Sequence, residues 1–178
     1  MSQIYFDHAA TTSMVAPAIK ALAENAALLG NASSLHSAGR NVRKNLEQAR
    51  EEIAAIADCL PSEIIFTASG TEANNLAIKG LYWRARKSGK KIIITSAFEH
   101  HAVMDPIHWL VEHEDAQLIE VGVDEAGVID VKQFAEIVSK NKDQIALISM
   151  MHSNNEIGTL QPIEELVAIA AGIAFHSD

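Results

Sequence analysis

The chain has 178 residues, 48% of them hydrophobic, which is enough to bury a core and argues against an intrinsically disordered protein. Its 23 acidic side chains outnumber its 14 basic ones, for a formal net charge of −9. This balance argues against nucleic-acid and anionic-membrane partners, because both need basic surface. The chain shows no apolar run near the roughly 20 residues of a membrane span, no signal-peptide pattern and a single cysteine, Cys59. We therefore expect a cytoplasmic protein.

Helical and strand-like patterns alternate along the chain. Two helical patterns come first, over residues 14–29 and 34–60. Strands are then predicted over 63–67, 91–95, 117–123, 144–150 and 172–176, alternating with helices over 70–87, 102–112, 131–140 and 163–171. Short apolar runs between amphipathic helices predict βαβ units. The predicted fold class is α/β, with a mostly parallel sheet flanked by helices.

Polar segments follow several of the predicted strands. They come after Thr67, after Thr95, after Met150 and at Asp178. Because parallel sheets bind ligands at the carboxyl ends of their strands, these segments are predicted to form one site.

The first segment, Ser69–Asn75, leads from a strand through a glycine into a helix. Free N–H groups and the positive end of the helix dipole there favour an anion, and the hydroxyls of Ser69 and Thr71 are further donors. No lysine follows Gly70, so a phosphate monoester fits better than a triphosphate. The alternative is an ordinary helix N-cap.

The second segment contains consecutive histidines. His100 is placed to stack on an aromatic ligand or to transfer protons, and the alternative is a partly buried histidine with satisfied hydrogen bonds. A metal site built from His100, His101, His108 and His113 is not predicted. The HExxH spacing is absent, and two turns of helix separate His101 from His108.

The last two segments offer an amide pair and a carboxylate. Asn154 and Asn155 either hold a phenolate-type oxygen or satisfy the geometry of a turn. Asp178, at the end of a predicted buried strand, is placed to pair with a protonated ring nitrogen. That pairing keeps the ring an electron sink, and the alternative is an acidic residue without a role.

These segments resemble those of a known family. The resemblance is carried by residues 4–12, 31–40, 66–80, 99–103 and 152–158, by Gln161-Pro162 and by His176-Ser177-Asp178. In order and spacing they resemble the cysteine desulfurases of the NifS/IscS type, which are pyridoxal 5′-phosphate (PLP) enzymes of the class V aminotransferase group. The resemblance implies the large domain of a fold type I PLP-dependent transferase over residues 14–178, present in part. It implies a separate N-terminal segment over residues 1–13, which in the family can belong to the small domain.

The resemblance also implies an activity and a set of roles. The family takes sulfur from L-cysteine as an enzyme persulfide, releases L-alanine and supplies iron–sulfur cluster and thio-cofactor synthesis. By motif, Gly70 and Thr71 would bind the PLP phosphate, and His100 would stack on the ring and could transfer protons. Asn155 would bind the ring hydroxyl oxygen, and Asp178 would pair with the pyridine nitrogen. The implied partners are a second copy of the chain and sulfur-acceptor or scaffold proteins.

Three family groups have no counterpart in these 178 residues: the Schiff-base lysine of a Ser-x-His-Lys segment, the persulfide cysteine and a substrate-binding arginine. Cys59 is interpreted as a small buried thiol and not as a substitute. We therefore expect the isolated chain to be inactive. The alternatives are another class V PLP enzyme, such as a selenocysteine lyase or an aminotransferase, and a non-catalytic remnant or interaction module.

Overall fold

The computed structural model describes residues 4–178. It separates the chain into two compact units, one up to Phe66 and one from Thr67 to Asp178. The N-terminal segment predicted over residues 1–13 begins outside the described residues. Its assignment to a separate small domain stays a prediction.

Two α-helices are the main elements of the first unit. α1 spans Ala16–Ala26 and α2 spans Ser37–Ile56, so both predicted helices are confirmed, each shorter than its sequence pattern. Pro17 lies in the first turn of α1, where its missing N–H costs no helical hydrogen bond. α2 is capped by His36, whose ring Nδ1 accepts a hydrogen bond from the N–H of Gly39 at 3.4 Å.

The end of α2 decides the surroundings of the only cysteine. The chain leaves the helix through Asp58, whose φ of +52° lies in the left-handed region. The N–H of Cys59 then donates to the carbonyl of Ala54 at 3.0 Å. This turn leaves Cys59 half-buried, so the expectation of a buried thiol is wrong.

The prediction of a strand over residues 63–67 is also wrong. A 3₁₀ turn spans Pro61–Glu63, and the residues after it pair with no strand of the described chain. Ile65 is 69% exposed, and the ring of Phe66 lies 4.8 Å from the guanidinium carbon of Arg50. The apolar run has the composition of a buried strand, but a strand also needs a partner to accept its backbone hydrogen bonds.

The second unit alternates helices and strands as predicted. Its elements in chain order are α3 (Gly70–Arg86), β1 (Ile92–Ser96), α4 (His101–Glu114), β2 (Gln117–Val121), α5 (Val131–Asn141), β3 (Ile145–Ser149), α6 (Ile163–Ala170) and β4 (Phe175–His176). β4 has only two residues and is therefore shorter than its apolar run. In the part of the chain that the structure describes, no helix combines the length and apolarity needed to cross a membrane.

The four strands form one parallel sheet in the order β2-β1-β3-β4. Ser96 at the end of β1 pairs with Val121 at the end of β2, and Ser149 at the end of β3 pairs with His176 of β4. All four strands run in the same direction, so their carboxyl ends meet at one edge. This arrangement confirms the predicted parallel sheet and brings the chain segments after β1, β3 and β4 together.

Apolar side chains cover both faces of the sheet. Ile92 and Ile93 are neighbours on β1 and enter opposite core clusters, as the alternation of side chains along a strand requires. Ile92 joins the cluster built with α5 and α6, which contains Phe134 and Leu166. Ile93 joins the cluster built with α3 and α4, which contains the fully buried Tyr82. The sheet is therefore flanked by helices on both sides, as predicted.

Candidate active site

A cavity of about 420 Å³ lies where the carboxyl ends of the strands meet. All five residues predicted from the sequence to bind a ligand line it: Gly70, Thr71, His100, Asn155 and Asp178. Asn74, Ala102, Met151 and Ser153 complete the lining. The volume is typical of small-molecule sites, which hold about 300–1,000 Å³. The structure brings the predicted residues together, while their individual roles stay predictions.

The N-terminus of α3 opens into this cavity. Ser69 caps the helix: its hydroxyl oxygen accepts from the N–H of Glu72 at 3.2 Å and its carbonyl from that of Ala73 at 3.1 Å. Among residues 4–178 the N–H groups of Gly70 and Thr71 find no acceptor, as is usual for the first residues of a helix. A Cβ added to Gly70 would meet no atom within 4 Å, so the space around this residue is open. The N-cap interpretation is therefore confirmed for Ser69, and two donors remain for an anion.

His100 caps α4 with its side chain. Its ring Nδ1 accepts a hydrogen bond from the N–H of Ala102 at 3.0 Å, which requires an unprotonated Nδ1 and assigns the ring proton to Nε2. The residue is exposed where it lines the cavity. The capping bond fixes the orientation of the ring and leaves its face and Nε2–H for a ligand.

The two consecutive asparagines have different surroundings. Asn154 is buried, and its side-chain oxygen accepts from the N–H groups of Glu156 and Ile157 at 2.9 and 3.0 Å. Its carbonyl accepts from the N–H of Gly158, whose φ of +74° completes the turn. Asn155 is exposed and lines the cavity. The turn interpretation therefore holds for Asn154, while the Asn155 amide is open to a ligand.

Asp178 reaches the cavity because β4 is paired with β3. The main-chain carbonyls of His176 and Asp178 accept from the N–H groups of Met150 and His152 at 3.0 and 3.4 Å. The ring Nδ1 of His176 lies 2.8 Å from the hydroxyl of Ser149. Burial lowers the pKa of His176, and the charge of Asp178 acts in the opposite direction. A neutral, hydrogen-bonded His176 thus anchors the strand that carries Asp178.

Glu99 places an enclosed carboxyl group next to His100. Its Oε1 accepts from the N–H of Met151 at 2.8 Å and from the hydroxyl of Ser96 at 3.1 Å. Its Oε2 is buried and has no hydrogen-bond partner among the described residues. Burial raises the pKa of Glu99 to about 7, assisted by the charge of Asp178 and opposed by the two hydrogen bonds. Near neutral pH this carboxyl therefore carries a proton for much of the time.

Sequence reasoning assigned no role to Glu99 or to Asn74. Asn74 is a buried polar residue one helical turn after Gly70 and Thr71, and it lines the same cavity. The helical spacing of four residues was the signal that predicts this placement. Glu99 gave no comparable signal, because its partners lie on β1 and beyond β3 and only the fold shows them.

Two lysines of the second unit are engaged away from the cavity. Lys79 lies over the ring of Trp109, with its Nζ 4.2 Å from the ring centroid, and Lys91 pairs with Asp115. Neither lines the cavity. Within residues 4–178, no three His, Cys, Asp or Glu side chains are grouped so that they could hold a metal ion.

The donors and acceptors of the cavity suit one kind of ligand. Two N–H groups at a helix N-terminus suit a phosphate, and an imidazole face suits a planar ring. An amide suits a ring hydroxyl, and a carboxylate suits a basic ring nitrogen. A phosphorylated pyridine that carries a hydroxyl group combines all four features. The residues present therefore fit the cofactor that the family resemblance implies.

Comparison with known proteins identifies the family. Residues 4–178 match the family described as aminotransferase class-V. The IscS-like cysteine desulfurase of Mycobacterium tuberculosis is 46% identical, over 98% of this chain and 45% of that protein. The cysteine desulfurase IscS of Dictyoglomus turgidum is 44% identical, over 99% of this chain and 44% of that protein.

Solved structures agree with the sequence relatives. A NifS-like protein superposes with a TM-score of 0.92 at 31% identity, over 99% of this chain and 49% of that chain. SspA in complex with cysteine superposes with a TM-score of 0.89 at 34% identity, over 98% of this chain and 50% of that chain. This chain spans a little under half the length of the curated relatives it matches. It belongs to the PLP-dependent class-V aminotransferase family, and the relatives that it matches are named cysteine desulfurases and a NifS-like protein.

Proposed function

We propose that this chain forms the PLP-binding portion of a cysteine desulfurase, which takes sulfur from L-cysteine as an enzyme persulfide and releases L-alanine. The single observation that carries the proposal is the convergence of Gly70, Thr71, His100, Asn155 and Asp178 on one cavity. These residues come from four separate segments of the chain. Each supplies the group that a different part of PLP requires.

The residues of the cavity bind and orient the cofactor. When bound, PLP supplies an electron-withdrawing ring that stabilises negative charge on substrate carbon. The N–H groups of Gly70 and Thr71 hold its phosphate at the positive end of α3. The imidazole of His100, oriented by its bond to Ala102, packs against the ring.

Two further residues adjust the electronic state of the ring. The carboxylate of Asp178 pairs with the ring nitrogen and keeps it protonated, because an adjacent opposite charge favours the cationic form. The amide of Asn155 binds the ring hydroxyl oxygen. His100 also presents Nε2–H to the cavity, where it can donate a hydrogen bond.

Relatives support the choice of substrate over the alternatives. Two named relatives are cysteine desulfurases, and SspA was solved in complex with cysteine. These names favour a desulfurase over a selenocysteine lyase, another aminotransferase or a non-catalytic module. We extend the proposal to a homodimer in the cytoplasm that passes sulfur to acceptor or scaffold proteins. The names of the IscS relatives support a role in iron–sulfur cluster assembly.

Binding of pyridoxamine 5′-phosphate tests this proposal. The compound carries the phosphate, ring nitrogen and ring hydroxyl of PLP but does not condense with surface lysines. We expect its fluorescence to change saturably on titration with the 178-residue chain. Gly70→Ala should weaken binding about fivefold or more, because the added Cβ enters the open space at the helix N-terminus. The unfolding free energy of this variant should stay equal or rise by up to about 1 kcal/mol.

A matched pair of threonine variants separates the cavity from the rest of the chain. Thr71→Val removes a hydroxyl at the cavity without changing the shape of the side chain, and Thr12→Val makes the same change at an exposed residue outside it. Only the first should weaken binding. A wild-type chain that shows no saturable binding, or equal effects of the two variants, would refute the proposed site.

The Schiff-base lysine and the persulfide cysteine of the family give a second test. Because none of the 178 residues supplies the lysine and cysteine of the family motifs, the purified chain with added PLP should release no alanine from L-cysteine. Amino-acid analysis of the reaction mixture measures this directly. Alanine formed in proportion to the amount of chain would overturn the assignment of those groups.

A further inference from the structure

Two side chains connect the segment after β1 to the segment after β3: one reaches from the first segment to the main chain of the second, and the other reaches back. Glu99, after β1, accepts a hydrogen bond from the main-chain N–H of Met151 at 2.8 Å. Asn154, after β3, donates its side-chain N–H to the main-chain carbonyl of Phe98 at 3.1 Å. Each bond joins residues more than 50 positions apart in the chain. We name these two bonds the crossed pair.

The two side chains that form the crossed pair each belong to a residue that directly precedes a cavity residue in the chain. Glu99 precedes His100, and Asn154 precedes Asn155. The hydroxyl of Ser96, at the end of β1, donates to the same Oε1 of Glu99 and so fixes that carboxyl to the sheet. The two bonds therefore join the chain beside the imidazole of His100 to the chain beside the amide of Asn155.

The phosphate-binding end of the cavity is built differently. The N–H groups of Gly70 and Thr71 belong to α3, whose N-terminus is held by the local capping bonds of Ser69. Neither bond of the crossed pair involves α3. A change in the crossed pair should thus move His100 and Asn155 while leaving the helix N-terminus in place.

We propose that Glu99 and Asn154 are positioning residues, which fix His100 and Asn155 at the separation that lets the cavity grip the ring of its ligand. This inference rests on the proposed function, because the ring is that of PLP. Glu99 and Asn154 touch no reacting atom and act only through their chain neighbours.

The state of Glu99 suits this role. Its Oε2 is buried without a partner, and an ionised carboxylate in that position would be costly. The charged group that raises its pKa is Asp178, beyond β4, while the donors that lower it are Ser96 and the N–H of Met151. The neutral acid keeps Oε1 as an acceptor, so glutamine, which has the same shape and the same acceptor, should replace it.

Three variants separate positioning from general stability. Glu99→Met keeps the length of the side chain and removes the acceptor. Asn154→Asp keeps the oxygen that shapes the turn and replaces the donor to Phe98 with an acceptor. Glu99→Gln keeps the acceptor and serves as the rescue. Glu125→Met, at an exposed residue outside the cavity, is the matched control.

The readout is the ratio of two affinities in the 178-residue chain. Pyridoxamine 5′-phosphate, followed by fluorescence, reports phosphate and ring together. Inorganic phosphate, followed by phosphorus NMR, reports the helix N-terminus alone. We expect Glu99→Met and Asn154→Asp to weaken pyridoxamine 5′-phosphate about tenfold, the effect of losing about one hydrogen bond, with phosphate affinity unchanged. Glu99→Gln and Glu125→Met should bind like the wild type.

Each other outcome contradicts a different part of the reasoning. A wild-type chain that does not bind pyridoxamine 5′-phosphate overturns the proposed function and this inference with it. Wild-type binding that the variants leave unchanged overturns this inference alone. A parallel loss of both affinities shows a general collapse of the site and also overturns it. If Glu99→Met does not fold, the contrast between Asn154→Asp and Glu99→Gln decides by the same ratio.

Discussion

Replacing Glu99 by glutamine should change how the stability of the second unit depends on pH. The substitution keeps the shape of the side chain and the acceptor for the Met151 N–H, and removes the titrating proton. The wild-type carboxyl has a pKa of about 7 in the folded chain, against 4.5 for an ordinary glutamate. A group whose folded pKa is raised loses native stability once the unfolded chain begins to ionise.

The sign and size of the effect follow from these two values. Below pH 4.5 the carboxyl is neutral in both states, and burial of the charge costs nothing. Between pH 4.5 and 7 the unfolded chain releases its proton while the folded chain retains it, so unfolding becomes easier as pH rises. Each pKa unit corresponds to about 1.4 kcal/mol, so the wild type should lose about 3 kcal/mol relative to the glutamine variant across this window. Above pH 7 the difference should stay constant.

Urea denaturation followed by tryptophan fluorescence measures this difference. Both tryptophans, Trp83 on α3 and Trp109 on α4, belong to the unit that contains Glu99. His176 also titrates, with a lowered pKa, but it does so in both proteins and cancels in the comparison. Parallel stability profiles of wild type and variant between pH 4.5 and 7 would refute the burial of the Glu99 proton. A wild type that gains stability with pH relative to the variant would refute its sign.

Two further predictions concern buried side chains. Tyr82→Phe should lower the unfolding free energy, measured in urea, by about 1 kcal/mol, because the fully buried Tyr82 donates a hydrogen bond to the carbonyl of Glu114 at 2.7 Å. The exposed Tyr5 makes a similar bond to Asp7, so Tyr5→Phe should cost less than about 0.5 kcal/mol, and equal costs would contradict the burial argument. Leu147→Ala should lower the unfolding free energy by about 3 kcal/mol, because Leu147 is fully buried in the cluster against α3 and α4. Leu160→Ala, at a 63% exposed residue, should lower it by less than about 0.5 kcal/mol, and comparable losses would show that Leu147 is not packed as described.

Periodicity predicted the second unit well because its apolar runs have partners within the described chain. The runs of β1 and β3 are buried on both faces, which is the environment that continuous isoleucine and leucine predict. The similar run at Ile64–Phe66 failed, because the described chain offers it no adjacent strand. Composition records the preference for burial but not the presence of a neighbour.

The sequence predicted the cavity residues whose local pattern indicates a ligand-binding role. Gly70 and Thr71 follow a strand-like run and begin a helix, and Asp178 follows the last predicted strand, so their positions suggested a ligand. The residue pattern alone did not distinguish Asn154 from Asn155, since both roles suit an asparagine in a turn, and only the family resemblance assigned the ligand role to Asn155. Glu99 was not assigned a role, because its partners come from chain segments that only the folded sheet brings together.

The shortness of β4 has a consequence for the order in which the site is completed. The N–H groups of Ile148, Met150 and His152, on β3 and just after it, donate main-chain hydrogen bonds to the last residues of the described chain. A two-residue edge strand held in this way should open locally at far lower free energy than the central strands. A ligand that pairs with Asp178 binds only the closed form and therefore suppresses the opening by mass action. Cofactor loading should thus slow hydrogen exchange at those three amides, so exchange at the pairing of β4 reports whether the cavity is occupied.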